Sequence, residues 1–211
     1  MGLGTSSNTT FLSIGDGKIT RRVKSPTTKS RERTLKNGNT IHEEIYDYIE
    51  GFITDIKVYQ HEQYGKFWNV YMTDDTGETY CLQMNYSGGY SSAFLKILPN
   101  VDIKEKVKIS PTMKVIDGKK KVGLFINQDG HALKHFYTKD NPNDLPQMRK
   151  VRVKGQDVWD DTDMMEFLES MVKTDIIPKI TYKSGGQAGR VNAPAPVNDL
   201  PVTGEDDDPP F

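Results

Sequence analysis

The 211-residue chain carries 28 Lys and Arg against 29 Asp and Glu, 35% hydrophobic residues and one cysteine. That length suits one packed domain with appendages. No apolar run approaches the roughly 20 residues of a membrane helix, so no membrane partner is expected, and Cys81 alone excludes an intramolecular disulfide or a multi-thiolate zinc site. The stretch from Met1 to Ser7 lacks the charged start and apolar middle of a secretory signal, so a cytoplasmic location is expected.

The charge is unevenly spread. Residues 184–211 hold Arg190 against Asp199, Glu205, Asp206, Asp207 and Asp208, which leaves 27 Lys and Arg against 24 Asp and Glu in the rest of the chain. Residues 1–40 read as a basic N-terminal arm or added strands. Thr10 to Ile14 forms one expected strand, a turn follows at Gly15-Asp16-Gly17, and the stretch Lys18 to Lys36 then sets eight basic residues against Glu32 alone. Arg21 and Arg22 in this stretch are candidate phosphate contacts, since such a patch gains affinity by releasing counterions.

Residues 41–130 read as all-β with one interruption. Phe52, Ile56 and Val58 alternate with Asp55, Lys57 and Tyr59, the period of a half-buried strand. After the polar loop His61 to Lys66, a second strand runs from Phe67 to Thr73 and a third from Thr79 to Tyr86, with a tight turn at Asp74 to Gly77 between them. Tyr90, Phe94, Leu95 and Leu98 then fall at helical spacing until Pro99 stops the run. Strands over Lys106 to Ile116 and Lys121 to Asn127 follow, joined by a basic hairpin tip, Asp117-Gly-Lys-Lys-Lys121. Three strands, a helix and two strands is the order of the OB-fold, a five-stranded Greek-key barrel whose second and third strands and flanking loops hold oligonucleotides. The fold expected is therefore all-β with short helices: an OB-fold barrel with an N-terminal extension, a C-terminal helix and a disordered acidic tail.

Residues 131–183 read as a C-terminal extension, irregular or partly extended to 160. A short amphipathic helix follows from Asp161 to Val172, with Asp161 as its cap and Met164, Met165, Phe167, Leu168 and Met171 on its apolar side. In residues 184–211 the composition shifts to Gly, Ala and Pro and then to acids, which reads as a flexible linker and an acidic partner-binding tip.

No catalytic constellation emerges, and neither an enzyme nor a cofactor is expected. His131 and His135 lie four apart without an acidic partner to complete a zinc site. Gly17-Lys18, Gly65-Lys66 and Gly118-Lys119 are each followed by a residue other than Ser or Thr, so none is a Walker loop. Asp74 and Asp75 are adjacent and suit a polar turn better than an acid/base pair. Cys81 has no activating neighbour in sequence.

Binding has clearer support. Lys57, Tyr59, Tyr64, Lys66, Phe67 and Tyr71 interleave rings and cations on the first two strands and their loop, and Lys114, Lys119, Lys120 and Lys121 gather at the second hairpin. Bases of any sequence stack on exposed rings for about 1–3 kcal/mol each while Lys and Arg follow the phosphates. Phe67 and Tyr71 are expected to be exposed. Trp68 shares a face with Val70 and Met72, which assigns it first to the core and second to base stacking. An OB-type adaptor that contacts RNA or protein through the same groove is the alternative.

The last seven residues, Glu205-Asp-Asp-Asp-Pro-Pro-Phe211, add a ring to an acidic run. With this tip and this strand order the chain resembles bacterial and phage single-stranded DNA-binding proteins, whose C-termini close an Asp-rich tip with Pro-Phe. The resemblance implies a barrel that coats single-stranded DNA in replication, recombination or repair. It also implies that Asp206, Asp207, Asp208, Pro210 and Phe211 recruit replication or repair proteins. Pro209 departs from the bacterial pattern, which has a larger apolar residue there. The lengths before and after the barrel suggest a phage-type relative, acting in the host cytoplasm, so the bacterial tetramer is not carried over.

Overall fold

A computed structural model describes residues 9–35, 38–153 and 155–181. The chain is mostly β with two short helices. Four strands come first: β1 (Thr10–Gly15), β2 (Lys18–Val23), β3 (Ser30–Thr34) and β4 (Thr40–Tyr46). A meander of β5 (Ile49–His61), β6 (Gly65–Thr73) and β7 (Thr79–Asn85) follows, then α1 (Gly89–Ile97) and the hairpin β8 (Val107–Ile116) with β9 (Lys119–Gln128). The short β10 (His131–Ala132), a separate hairpin of β11 (Arg149–Val153) and β12 (Gln156–Asp160), and α2 (Thr162–Met171) complete the described strands and α-helices, with short helical turns at Leu98–Asn100, Val172–Ile176 and Ile177–Lys179.

Alternation of side chains explains the meander. Ile56, Val70 and Leu82 sit at paired positions across β5, β6 and β7, as do Val58, Trp68 and Met84, so both rows turn the same way and seal one face. That face closes on Phe94 and Leu95 of α1, Ile109 and Ile126 of the β8–β9 hairpin, and Met165 and Leu168 of α2, all fully buried. β5 serves two neighbours: its start pairs with β8 and the remainder with β6. The transfer needs Gly51, where a Cβ would stand 2.6 Å from the Thr73 carbonyl oxygen, and a register shift between Ile53 and Asp55 that bends the strand.

The expected strands and both helices form at the places their periodicity indicated, within a few residues. The ladder differs from a closed five-stranded barrel. Among the described residues, one hydrogen-bonded sheet runs β10-β9-β8-β5-β6-β7-β1-β2-β4-β3, ten strands with open ends. The cause is β1, which lies parallel on the outer edge of β7 and brings β2, β4 and β3 after it. Even so the sheet curls back on itself. Gly17, at φ 73° in the β1–β2 turn, lies so close to β8 that a Cβ would meet the Met113 nitrogen at 2.5 Å, and its N–H donates to the Tyr90 hydroxyl of α1 at 2.8 Å.

Asp161 holds the N-cap position of α2 as expected, its carbonyl accepting from the Met165 N–H at 2.9 Å, but the side-chain bonds at this helix start come from Asp160. Its carboxylate accepts from the Thr162 N–H at 3.1 Å and from the Thr162 hydroxyl at 2.6 Å, whereas Asp161 makes no side-chain cap. The stretch before α2 is also more regular than its composition suggested, since Arg149–Val153 and Gln156–Asp160 pair as antiparallel strands. No helix among the described residues is long and apolar enough to cross a membrane. The acidic segment 205–211, with Asp206, Asp207, Asp208, Pro210 and Phe211, lies outside the described residues.

Candidate nucleic-acid interface

The face of the meander turned away from the core carries a continuous polar row. Paired positions take it from Lys57 on β5 to Asn69, Gln83, Ser13 and Thr20 on β6, β7, β1 and β2. Asn69, Gln83 and Thr20 are buried although they face away from the core. A buried polar group costs free energy unless it is paired. Here the Gln83 amide donates to the Asn69 side-chain oxygen at 3.1 Å, and the Ser13 and Thr20 hydroxyls share a 2.8 Å hydrogen bond. The result is a trough with a hydrogen-bonding floor.

Rings line one side of it. Tyr71 pairs with Asp55 and Cys81, next to the polar row, and is half-buried; Lys57 reaches over its ring at 5.4 Å while holding Asp55 at 2.6 Å. Burial pushes the Tyr71 hydroxyl up to about 12 and the Cys81 thiol up to about 12, so both are neutral at physiological pH. Tyr59, also half-buried, continues into a ring cluster at the β5–β6 turn. His61 lies edge-on to Tyr59 at 6.3 Å and 4.8 Å from Tyr64, and its Nδ1 accepts the N–H groups of Gln63 and Tyr64, which shapes the turn.

Two expectations about rings are corrected. Phe67 is on the trough face, aligned with Tyr59 and Asn85, but only 3% exposed. Alternation tells which face a residue takes, not how concave that face is. Trp68 is 1% exposed on the core side, stacked on Tyr86 at 5.6 Å with the planes 4° apart, and is unavailable to a base. Lys66 falls on the Trp68 side of its strand, over the Tyr86 ring at 4.7 Å, and not in the trough.

The basic residues divide in a similar way. Register places Arg22 on the trough face with Arg31, on either side of Glu43, and sends Arg21 to the opposite face, 3.9 Å from Glu44. Glu43 is buried and takes two bonds from Arg33, at 2.7 and 3.0 Å, with Arg31 at 3.6 Å. Such a forked pair fixes the guanidinium rather than neutralising the patch, because Arg31 and Arg33 share one carboxylate. Of the hairpin-tip lysines, Lys120 reaches Asp16 in the β1–β2 turn at 2.8 Å. The hydrogen bond from Lys120, opposed in part by burial and reinforced by the charges of Lys120, Arg31 and Arg33, holds the Asp16 carboxyl below the usual carboxylate range. Asp16 therefore pairs with the lysine tip and feels the charge of the arginine cluster.

Lys114 and Lys121 occupy facing positions, with Ile116 and Lys119 next along the same face, and all are exposed. Like charges directly opposite each other destabilise a hairpin by a few tenths of a kcal/mol or more. Val115, 63% exposed, adds apolar surface to the tip.

The polar row, His61 and the Arg31–Arg33–Glu43 cluster escaped the sequence reading. A signal for the row was present, since Asn69 falls between Phe67 and Tyr71 at alternate positions of its strand. In comparisons with protein-family models, curated proteins and solved structures, the chain matches none of them.

Proposed function

We propose that the protein binds single-stranded DNA without sequence preference, as a coat in replication, recombination or repair. The observation that carries this reading is the row Lys57–Asn69–Gln83–Ser13–Thr20, flanked by Tyr59 and Tyr71 and by the Arg22–Arg31–Arg33 cluster. An unpaired strand has exposed base faces and phosphates; the half-buried rings of Tyr59 and Tyr71 suit the faces, and Lys57 with the arginine cluster suits the phosphates, along a row whose buried amides and hydroxyls hold one another. A duplex hides its base faces and gains nothing from the rings.

The strand order supports the same reading. We take β5, β6, β7, α1, β8 and β9 as an OB-type unit with β5 paired to β8, opened where β1 occupies the edge of β7. The acidic segment 205–211 recruits replication or repair proteins in this reading, on the strength of its resemblance to the tips of phage and bacterial single-stranded DNA-binding proteins. The protein is a coat and not an enzyme.

Anisotropy titration of labelled oligo-dT tests the proposal. The expected result is binding that weakens steeply with salt and exceeds duplex binding by at least about tenfold. Equal affinity for duplex and single strands would overturn it, and tighter binding of RNA than of DNA of one sequence would point to contacts with the 2′-hydroxyl and an RNA partner. Deleting 205–211 should leave or raise DNA affinity while removing partner capture.

A further inference from the structure

The β11–β12 hairpin has no place in the function so far. Its two strands pair only with each other, and both of its faces are open to solvent. An isolated two-stranded ribbon is marginal in water unless something covers it. One face sets Lys150 opposite Trp159 and Arg152 opposite Asp157; the Lys150 ammonium lies 5.1 Å from the Trp159 ring centre, and that ring is 37% exposed. The other face carries Val151 and Val158. The strands carry Arg149, Lys150 and Arg152 against Asp157 and Asp160, and Arg149 is paired with Asp163 at 2.6 Å, which leaves Lys150 and Arg152 as the cations of the Trp159 face.

The position of the hairpin matters as much as its chemistry. β12 leads into α2 through Asp161, which meets Ser87 just past β7, and Glu169 of α2 accepts from the Tyr86 hydroxyl at 2.6 Å. Lys66 lies over the same Tyr86 ring, at the start of β6 beside the Tyr59–His61–Tyr64 cluster. The hairpin therefore springs from the end of the molecule at which the ring-lined side of the trough runs out.

We infer that the β11–β12 ribbon is a second nucleic-acid contact, which takes a single strand leaving the trough past the β5–β6 turn by stacking a base on Trp159 and holding phosphates with Lys150 and Arg152. This rests on the trough reading above. A strand that fills only the trough does not touch the ribbon; a longer one does. The chain has two tryptophans, and Trp68 is sealed in the core, so Trp159 is the ring that reports contact.

The test uses the full chain with oligo-dT of about 8 and about 20 nucleotides, lengths that bracket the span of one such domain. Wild-type tryptophan fluorescence should be quenched by the longer oligomer much more than that of Trp159→Phe. Trp159→Ala and Lys150→Glu/Arg152→Glu should each weaken binding of the longer oligomer about 5- to 30-fold and change that of the shorter less than about twofold. Equal affinity of both variants and wild type for the longer oligomer would overturn the ribbon contact. A change in oligomeric state of Trp159→Ala in DNA-free sedimentation would overturn it too, by making the ribbon a surface for a second copy. If wild type binds neither length, the trough reading itself fails and the ribbon with it.

Discussion

The β5–β6–β7 meander and the β11–β12 ribbon present the same surface chemistry on opposite kinds of support. Each sets a lysine over a ring, Lys57 over Tyr71 and Lys150 over Trp159, at 5.4 and 5.1 Å. Beneath Tyr71 the other face of the meander is sealed by Val70, Met72 and Leu82, while beneath Trp159 the ribbon has only the partly exposed Val151 and Val158. A ring on a core-backed strand is held ready before any ligand arrives, and little ordering entropy opposes its use. A ring on an unsupported ribbon is ordered by what it binds.

The most severe way to break this contrast is to remove a ring from the core itself. Trp68→Ala should cost about 3–5 kcal/mol of stability, through lost burial and the cavity left under Tyr86, whereas Trp159→Ala should change stability by less than about 0.5 kcal/mol. Chemical denaturation followed by circular dichroism measures both; similar losses would mean that the ribbon packs on something and is not free.

Binding separates the regions next. Tyr71→Ala should weaken a short oligo-dT by about 1–3 kcal/mol with the fold retained, because Tyr71 is a trough ring and not a core residue. Unchanged affinity would remove the ring-lined side from the site. Lys114→Ala and Lys121→Ala act through charge alone, so each should lower the slope of log affinity against log salt by about 0.7, the single-strand value for one phosphate contact. Titrations at several salt concentrations read that slope, and an unaltered one would take the lysine tip off the strand's path.

The smallest expected effect concerns Asp16, whose folded-state carboxyl is held below its ordinary value. Its pairing therefore stabilises the fold above a pH of about 4 and is lost as pH falls through the depressed value. As an exposed pair it contributes about 0.2–1 kcal/mol. Asp16→Asn keeps a residue that tolerates the φ of 51° at this turn position. It should flatten that part of the acid-stability curve and tighten DNA binding at pH 7 by roughly two- to fivefold, since one anion leaves the Lys120–Arg31–Arg33 cluster.

Much of the fold was legible before any coordinates. Period-two alternation located the meander and the β8–β9 hairpin, and the i, i+3, i+4 spacing of Tyr90, Phe94, Leu95 and Leu98 located α1. Less of the site was. Lys57, Tyr59, Tyr64, Tyr71 and the lysine tip retain some exposed surface, but Phe67 and Trp68 do not. The basic arm proved to be strands β2 and β3, with alternate arginines on opposite faces, which parts Arg21 from Arg22. The strands Arg149–Val153 and Gln156–Asp160 read only as irregular or partly extended because a ribbon exposed on both faces needs no hydrophobic alternation to mark it.

By itself the sequence determined where the backbone extends, where it coils and which side chains share a strand face, because those depend on periods of two and 3.6 residues within a local window. Only the tertiary structure decided that β1 takes the edge of β7, that Asn69, Gln83, Ser13 and Thr20 line up into one row, and that Phe67 sinks while Trp159 stands out. Those outcomes depend on which distant strands pair and how the sheet curves, and neither is encoded in any single stretch of chain.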